Sequence, residues 1–74
     1  MKTKYKHIYF ELPKSVNPKQ DHPTYWCCNN KTDSLLGRIF WHKDWTKYVF
    51  EMYEGTVFSQ SCLFDVVHFI KQLS

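Results

Sequence analysis

Five side chains between positions 38 and 47 could together form a surface that binds flat or charged partners. They are two aromatic rings, two cations and a histidine: Arg38, Phe40, His42, Trp45 and Lys47. Flat rings can stack on nucleic-acid bases while nearby cations contact phosphates, as in sheet-based binders of single strands. The same residue types dominate the energetic hot spots of protein interfaces. Both kinds of binding stay open here, as does ordinary pairing of these side chains across neighbouring strands.

The residues that serve catalysis or metal binding are scattered along the chain. The histidines and cysteines are His7, His22, His42, His68, Cys27, Cys28 and Cys62. No Cys-x2-Cys pair occurs, and adjacent strand residues point to opposite faces, so Cys27 and Cys28 are poorly placed to share a metal. A site made by one of them with His22 is the remaining metal hypothesis.

No other pattern of reactive residues indicates catalysis. The seven carboxylates have no spacing that would place a pair for acid–base chemistry, and two glycines provide no phosphate-binding loop. Cys62 falls on a predicted apolar helix stripe, which favours burial over reactivity. We therefore expect a protein that is not an enzyme and that needs no metal or cofactor.

Length and composition predict one small domain that spans residues 1–74. Aromatic residues make up 19% of the 74-residue chain, enough to build a core that aliphatic side chains alone would not. The net charge of +3 is only mildly basic, which is typical of a soluble protein. An odd number of cysteines, without an apolar leader or membrane span, predicts a reducing, cytoplasmic location.

The elements that must position these residues are predicted from periodicity and turn chemistry. A basic segment at 1–6 precedes a first strand at 7–12, and residues 13–23 form a proline-rich loop. Further strands are predicted at 24–29, 35–42 and 45–53, with Lys43-Asp44 as a tight turn between the last two. We therefore expect an α+β fold of order β-β-β-β-α, with three or four antiparallel strands and one helix on a face.

The C-terminal segment has the clearest helical pattern, beginning after Ser59 as the N-cap. Its predicted buried stripe consists of Leu63, Val66, Val67, Ile70 and Leu73, widened by Cys62 and Phe69. This stripe has to pack against one face of the sheet.

Alternation along strands three and four divides the hairpin into two faces. A two-residue turn at Lys43-Asp44 pairs Ile39 with Tyr48 and Gly37 with Phe50. The apolar face then contains Leu35, Gly37, Ile39, Trp41, Thr46, Tyr48, Phe50 and Met52. The other face contains Leu36, Arg38, Phe40, His42, Trp45, Lys47, Val49 and Glu51. We expect the helix to cover the apolar face and to leave the second face exposed to water or to a partner.

The stretch from Leu36 to Leu73 carries a recognisable pattern of residues. It reads Leu36-Gly37-x-Ile39-x-Trp41, then Trp45-x-x-Tyr48-Val49-Phe50, Thr56-Val57-Phe58-Ser59, Cys62-Leu63-x-Asp65 and Phe69-Ile70. This pattern, over about half the chain, resembles a group of short bacterial proteins, some of them carried on phages or mobile elements. The resemblance implies a free-standing domain of bacterial or phage origin without catalytic residues. It also allows Trp41, Trp45 and Cys62 to be framework residues.

The function we predict is a non-enzymatic binding or accessory protein that acts on another protein, such as a phage-type modulator. The alternative is a binder of single-stranded nucleic acid through Arg38, Phe40, His42, Trp45 and Lys47. Self-association to a homodimer is a third expectation, since an unpaired sheet edge or an apolar face can pair with its own copy.

Overall fold

The computed structural model describes residues 1–14, 17, 19 and 21–74. Positions 15, 16, 18 and 20 of the predicted proline-rich loop lie outside the described residues. The elements are β1 (Ile8–Glu11), β2 (Tyr25–Asn29), β3 (Leu35–His42), β4 (Lys47–Met52) and α1 (Gln60–Leu73). The four strands form one antiparallel sheet in the order β1-β2-β3-β4. The predicted α+β fold, with its C-terminal helix, is confirmed.

The core lies between α1 and one side of the sheet, which we call the inner face. Alternate strand residues point there, and the strand side chains of the core cluster are Ile8, Phe10, Tyr25, Cys27, Ile39 and Tyr48. Because a strand side chain has a period of two, their neighbours in sequence point to the opposite side. No helix among the described residues is long and apolar enough to cross a membrane.

Helix α1 begins where the sequence predicts and is held on the sheet by one aromatic side chain. The Ser59 hydroxyl accepts a hydrogen bond from the Cys62 N–H at 3.2 Å, which satisfies one of the free donors of the first turn. Phe69 is fully buried, stacks on Phe10 with ring centroids 4.1 Å apart, and meets the edge of Tyr25 at 5.1 Å. This aromatic cluster fixes which side of the helix faces the core.

The predicted stripe of α1 is partly wrong. Leu63 and Val67 are 43% and 48% exposed, whereas the buried positions are Cys62, Val66 and Phe69. The helix is rotated away from the predicted orientation because Phe69, its largest buried side chain, packs against the sheet.

The first residues of the chain pair with β1 and contribute to the core. The Phe10 N–H donates to the Thr3 carbonyl at 2.8 Å, and the Tyr5 N–H donates to the Ile8 carbonyl at 2.9 Å. Tyr5 is 8% exposed, and its hydroxyl lies 2.7 Å from Nδ1 of His68 on α1. The segment therefore covers the outer edge of β1.

The turn between β3 and β4 is longer than the sequence predicts. His42 pairs with Lys47, so four residues connect the strands, and Thr46 adopts a left-handed φ of 49°. The predicted pairs are wrong by two residues: Ile39 lies opposite Phe50, and Gly37 lies opposite Met52. A shift of two does not by itself move a side chain to the other face, because the strand period is also two.

A β-bulge between β2 and β3 reverses two predicted faces. Cys27 pairs with Gly37 while Cys28 pairs with Leu35, so Leu36 is an extra residue on β3. Leu36 packs against the core, whereas Leu35 is 40% exposed. Strict alternation predicts the opposite side for each of them, because it does not allow for an inserted residue.

Because the Cys27 thiol is buried, we expect the folded protein to lose stability at alkaline pH. Burial, with smaller contributions from the nearby Cys28 and Cys62, raises the pKa of Cys27 from 9.0 to about 12. Between these values the unfolded thiol ionises while the folded one stays protonated, so the free energy of unfolding falls as the pH rises. We expect the urea midpoint of Cys27→Ala to fall less steeply from pH 9 to pH 12 than that of the parent protein. Parallel profiles for the two proteins would contradict this assignment.

Candidate functional site

The side of the sheet that faces away from α1 forms a surface that we call the outer face. Its residues are Tyr9, Glu11, Trp26, Cys28, Leu35, Arg38, Phe40, His42, Lys47, Val49 and Glu51. Helix α1 lies on the inner face, and His22 also packs there, stacked on Trp41 at 3.8 Å. In the described part of the chain, the outer face is therefore not covered by a helix.

One row of the outer face crosses all four strands. Glu11 lies opposite Trp26, Trp26 opposite Arg38, and Arg38 opposite Glu51. Nε of Arg38 donates to Oε1 of Glu51 at 2.7 Å, and both side chains are well exposed. Such a surface ion pair adds little stability, but it joins β3 to β4 in the row that also contains Trp26.

Arg38 is fixed by a second contact on the same face. Its guanidinium carbon lies 4.2 Å from the centre of the Phe40 ring, which is the geometry of a cation–π interaction. Phe40 is half-buried and pairs with Val49 across the hairpin. The structure thus places Arg38 and Phe40 together, as their spacing in the sequence predicts.

Trp45 belongs to the turn and not to β4, which corrects the predicted strand at 45–53. Its ring still stacks on His42, with centroids 4.4 Å apart and planes 19° apart. The main-chain N–H of Trp45 donates a hydrogen bond to Nδ1 of His42 at 3.2 Å. Neutral His42 therefore carries its proton on Nε2. The Trp45 side chain is 61% exposed, and Lys47 follows directly opposite His42.

The five predicted site residues therefore form two contacting pairs on one face. Arg38 lies on Phe40 and His42 lies on Trp45, with Lys47 beside the second pair. Trp26, which was not among the predicted site residues, is 38% exposed on the same face. Alternation with Tyr25 and Cys27 was the available signal, but only the pairing of β2 with β3 places Trp26 beside Arg38.

At the other end of the outer face, Tyr9 covers a buried thiol. The Tyr9 hydroxyl donates to Oδ1 of Asp33 at 2.9 Å, and this hydrogen bond is the largest cause that raises the pKa of Tyr9. Cys28 is 3% exposed, and burial raises the pKa of its thiol. A protonated, covered thiol does not act as a nucleophile, so this end of the face contributes packing.

The charges of the outer face nearly cancel. Its cations, Arg38 and Lys47, are matched by the carboxylates of Glu11 and Glu51. The excess positive charge of the chain lies elsewhere, for example at Lys2 and Lys4 in the N-terminal segment. A polyanion would find no strong field over this surface.

We compared the chain with known protein families, curated proteins and solved structures, and none of them matches it. In the residues that the structure describes, no group of three or more His, Cys, Asp or Glu side chains could hold a metal ion. The function is therefore inferred from the geometry of the outer face.

Proposed function

We propose that this protein is a non-enzymatic protein-interaction module that binds its partner through the outer face. The supporting observation is a cluster of exposed and half-buried rings with two cations on the side that α1 leaves free. Its residues are Trp26, Arg38, Phe40, His42, Trp45 and Lys47. Tryptophan and arginine carry much of the binding energy in protein interfaces, and large exposed apolar surfaces are typical of interaction sites.

The contacts within this cluster support the proposal. Arg38 is held between Phe40 and Glu51, and the Trp45 ring is held on His42. Side chains that are already ordered lose little conformational entropy when a partner binds. The outer face is therefore suited to a flat partner surface that requires no rearrangement of the sheet.

The second candidate is binding of single-stranded nucleic acid. The ring of Trp45, exposed beside Lys47, is the observation that favours it. The near-neutral charge of the outer face argues against it, because phosphate binding requires cations that are not neutralised locally. We therefore rank protein binding first. A cytoplasmic location and a role as a phage-type modulator, for which a single binding face is sufficient, belong to the same proposal.

Removing two outer-face rings tests this function. We expect the double substitution Trp26→Ala and Trp45→Ala to reduce capture of the partner protein about tenfold or more, as for hot-spot residues. The measurement is quantitative affinity capture from a nuclease-treated lysate of the source organism. Phe64→Ala is the matched control, since Phe64 is an equally exposed aromatic on α1, at 63% against 61% for Trp45.

Two outcomes would contradict protein binding through this face. Equal capture by the parent protein and the double variant would exclude the two rings from the interface. Loss of every captured protein after nuclease treatment, together with salt-sensitive quenching of tryptophan fluorescence by an oligonucleotide, would favour the nucleic-acid alternative.

A further inference from the structure

The two edges of the sheet differ in their protection. The N-terminal segment pairs with β1 through the hydrogen bonds of Thr3 and Tyr5. At the other edge, β4 is the last strand of the sheet. Proteins usually protect an exposed edge with proline, a bulge or a covering segment, because its free main-chain groups can pair with another chain.

The hydrogen-bonding pattern identifies which groups of β4 are free. The Tyr53 N–H donates to the Leu36 carbonyl at 2.9 Å, so this pair is of the hydrogen-bonded type. Antiparallel pairs alternate, which directs the main-chain groups of Val49 and Glu51 toward β3 and those of Tyr48 and Phe50 outward. Among the described residues, no other main-chain group bonds to those outward groups.

We propose that β4 is a homodimer interface, at which it pairs antiparallel with β4 of a second copy across a twofold axis at Val49. Tyr48 then lies opposite Phe50 of the second copy, so the outward main-chain groups of both residues are satisfied. On the outer face, Lys47 lies opposite Glu51 of the second copy, and the symmetry repeats this charge pair.

Charge complementarity favours this register, and it favours a second copy of the chain as the partner of β4. If the axis passed through Tyr48, Lys47 would lie opposite Val49; if it passed through Phe50, Glu51 would lie opposite Val49. Only the axis at Val49 brings opposite charges together, and it does so twice. The edge also lacks proline and bulges, and Lys47 and Glu51 are both exposed.

The resulting dimer would have one continuous sheet of eight strands, with the two outer faces side by side. This inference goes beyond the proposed binding function, because β4 pairing uses main-chain groups that do not belong to the outer face. An interface formed by a single short edge falls below about 1,200 Å², the range of weak and reversible complexes. We therefore expect a dimer fraction that rises with protein concentration.

Charge reversal with reciprocal rescue tests the proposal. In Lys47→Glu the dimer contains two Glu–Glu pairs, and in Glu51→Lys it contains two Lys–Lys pairs, so each variant should weaken dimerisation roughly tenfold. An equimolar mixture of the two variants restores two opposite-charge pairs in the heterodimer. Sedimentation velocity over about a hundredfold concentration range measures the three cases and the parent protein.

Matched controls separate dimerisation from folding. Lys31→Glu makes the same charge change in the exposed turn after β2 and should leave the dimer unchanged. Lys47→Glu keeps the Arg38–Glu51 ion pair intact, so it remains informative if Glu51→Lys does not fold. Circular dichroism of each variant confirms the fold.

Three results would overturn the proposal. One is a parent protein that stays monomeric over the whole concentration range. Another is a mixture of the two charge variants that associates no better than either alone. The third is a dimer that Phe64→Glu abolishes and Lys47→Glu does not affect, which would place the contact on the exposed side of α1.

Discussion

Replacing Phe69 with alanine is expected to remove a large share of the free energy of unfolding of this domain. Phe69 is fully buried, stacked on Phe10 and set against the edge of Tyr25, so it joins α1 to β1 and β2. Truncation of a buried phenylalanine costs about 3–5 kcal/mol, through lost burial and the cavity left behind. A domain of 74 residues has a free energy of unfolding of only about 4–11 kcal/mol.

Urea denaturation followed by circular dichroism measures this effect. The matched control is Phe64→Ala, the same substitution on the same helix at a side chain that is 63% exposed. We expect this control to change the free energy of unfolding by less than about 0.5 kcal/mol. Equal losses for the two variants would mean that α1 does not pack on the sheet through Phe69.

Replacing Gly37 with alanine is the second substitution with a large expected effect. A Cβ atom at this position would lie 2.5 Å from the Glu51 carbonyl oxygen and 2.8 Å from Cε1 of Phe50. The carbonyl belongs to the β3–β4 ladder and cannot move without shifting the strand. We expect a loss of about 2–3 kcal/mol, at the upper end for added volume in a packed region.

Gly55→Ala provides the comparison for this prediction. Gly55 has a φ of +82°, but no atom lies within 4 Å of the Cβ that would be added. Its substitution therefore costs only the backbone strain of the left-handed conformation, about 1–2 kcal/mol. Thermal denaturation of both variants should show the larger loss of stability for Gly37→Ala. A smaller loss of stability for Gly37→Ala than for Gly55→Ala would contradict the close packing of β3 on β4.

The faces of the β3–β4 hairpin were predictable because alternation tolerates an error in the turn. The tight turn at Lys43-Asp44 was wrong, yet Ile39 and Phe50 point to the core and Arg38 and Phe40 point away from it. An error of one residue would have exchanged the two faces. Nothing in Lys43-Asp44 encodes a four-residue turn, which depends on Thr46 adopting a positive φ.

Two features of the core could not be predicted from one sequence. The bulge that turns Leu36 inward depends on how β2 pairs with β3, and no local pattern records that pairing. The rotation of α1 was also undetermined, because apolar residues occupy more than half of its circumference. The contact of Phe69 with Phe10 and Tyr25 decides it and leaves Leu63 exposed.

The candidate site was predictable to the extent that it lies within one hairpin. Arg38 and Phe40 are two residues apart on one strand, so their contact follows from the strand period. Trp26 comes from a different strand, and only the register between β2 and β3 brings it into the same row. A site that crosses several strands can therefore be predicted only when the pairing of those strands is known.

The claim that the outer face binds the partner is tested most directly by the three tryptophan indole signals in a proton–nitrogen correlation spectrum. Trp26 and Trp45 belong to the outer face and its turn, whereas Trp41 is stacked under His22 on the inner face. On titration of the isotope-labelled protein with its captured partner, we predict shifts of the Trp26 and Trp45 signals and a constant Trp41 signal. A shift of Trp41 with constant Trp26 and Trp45 signals would contradict the account.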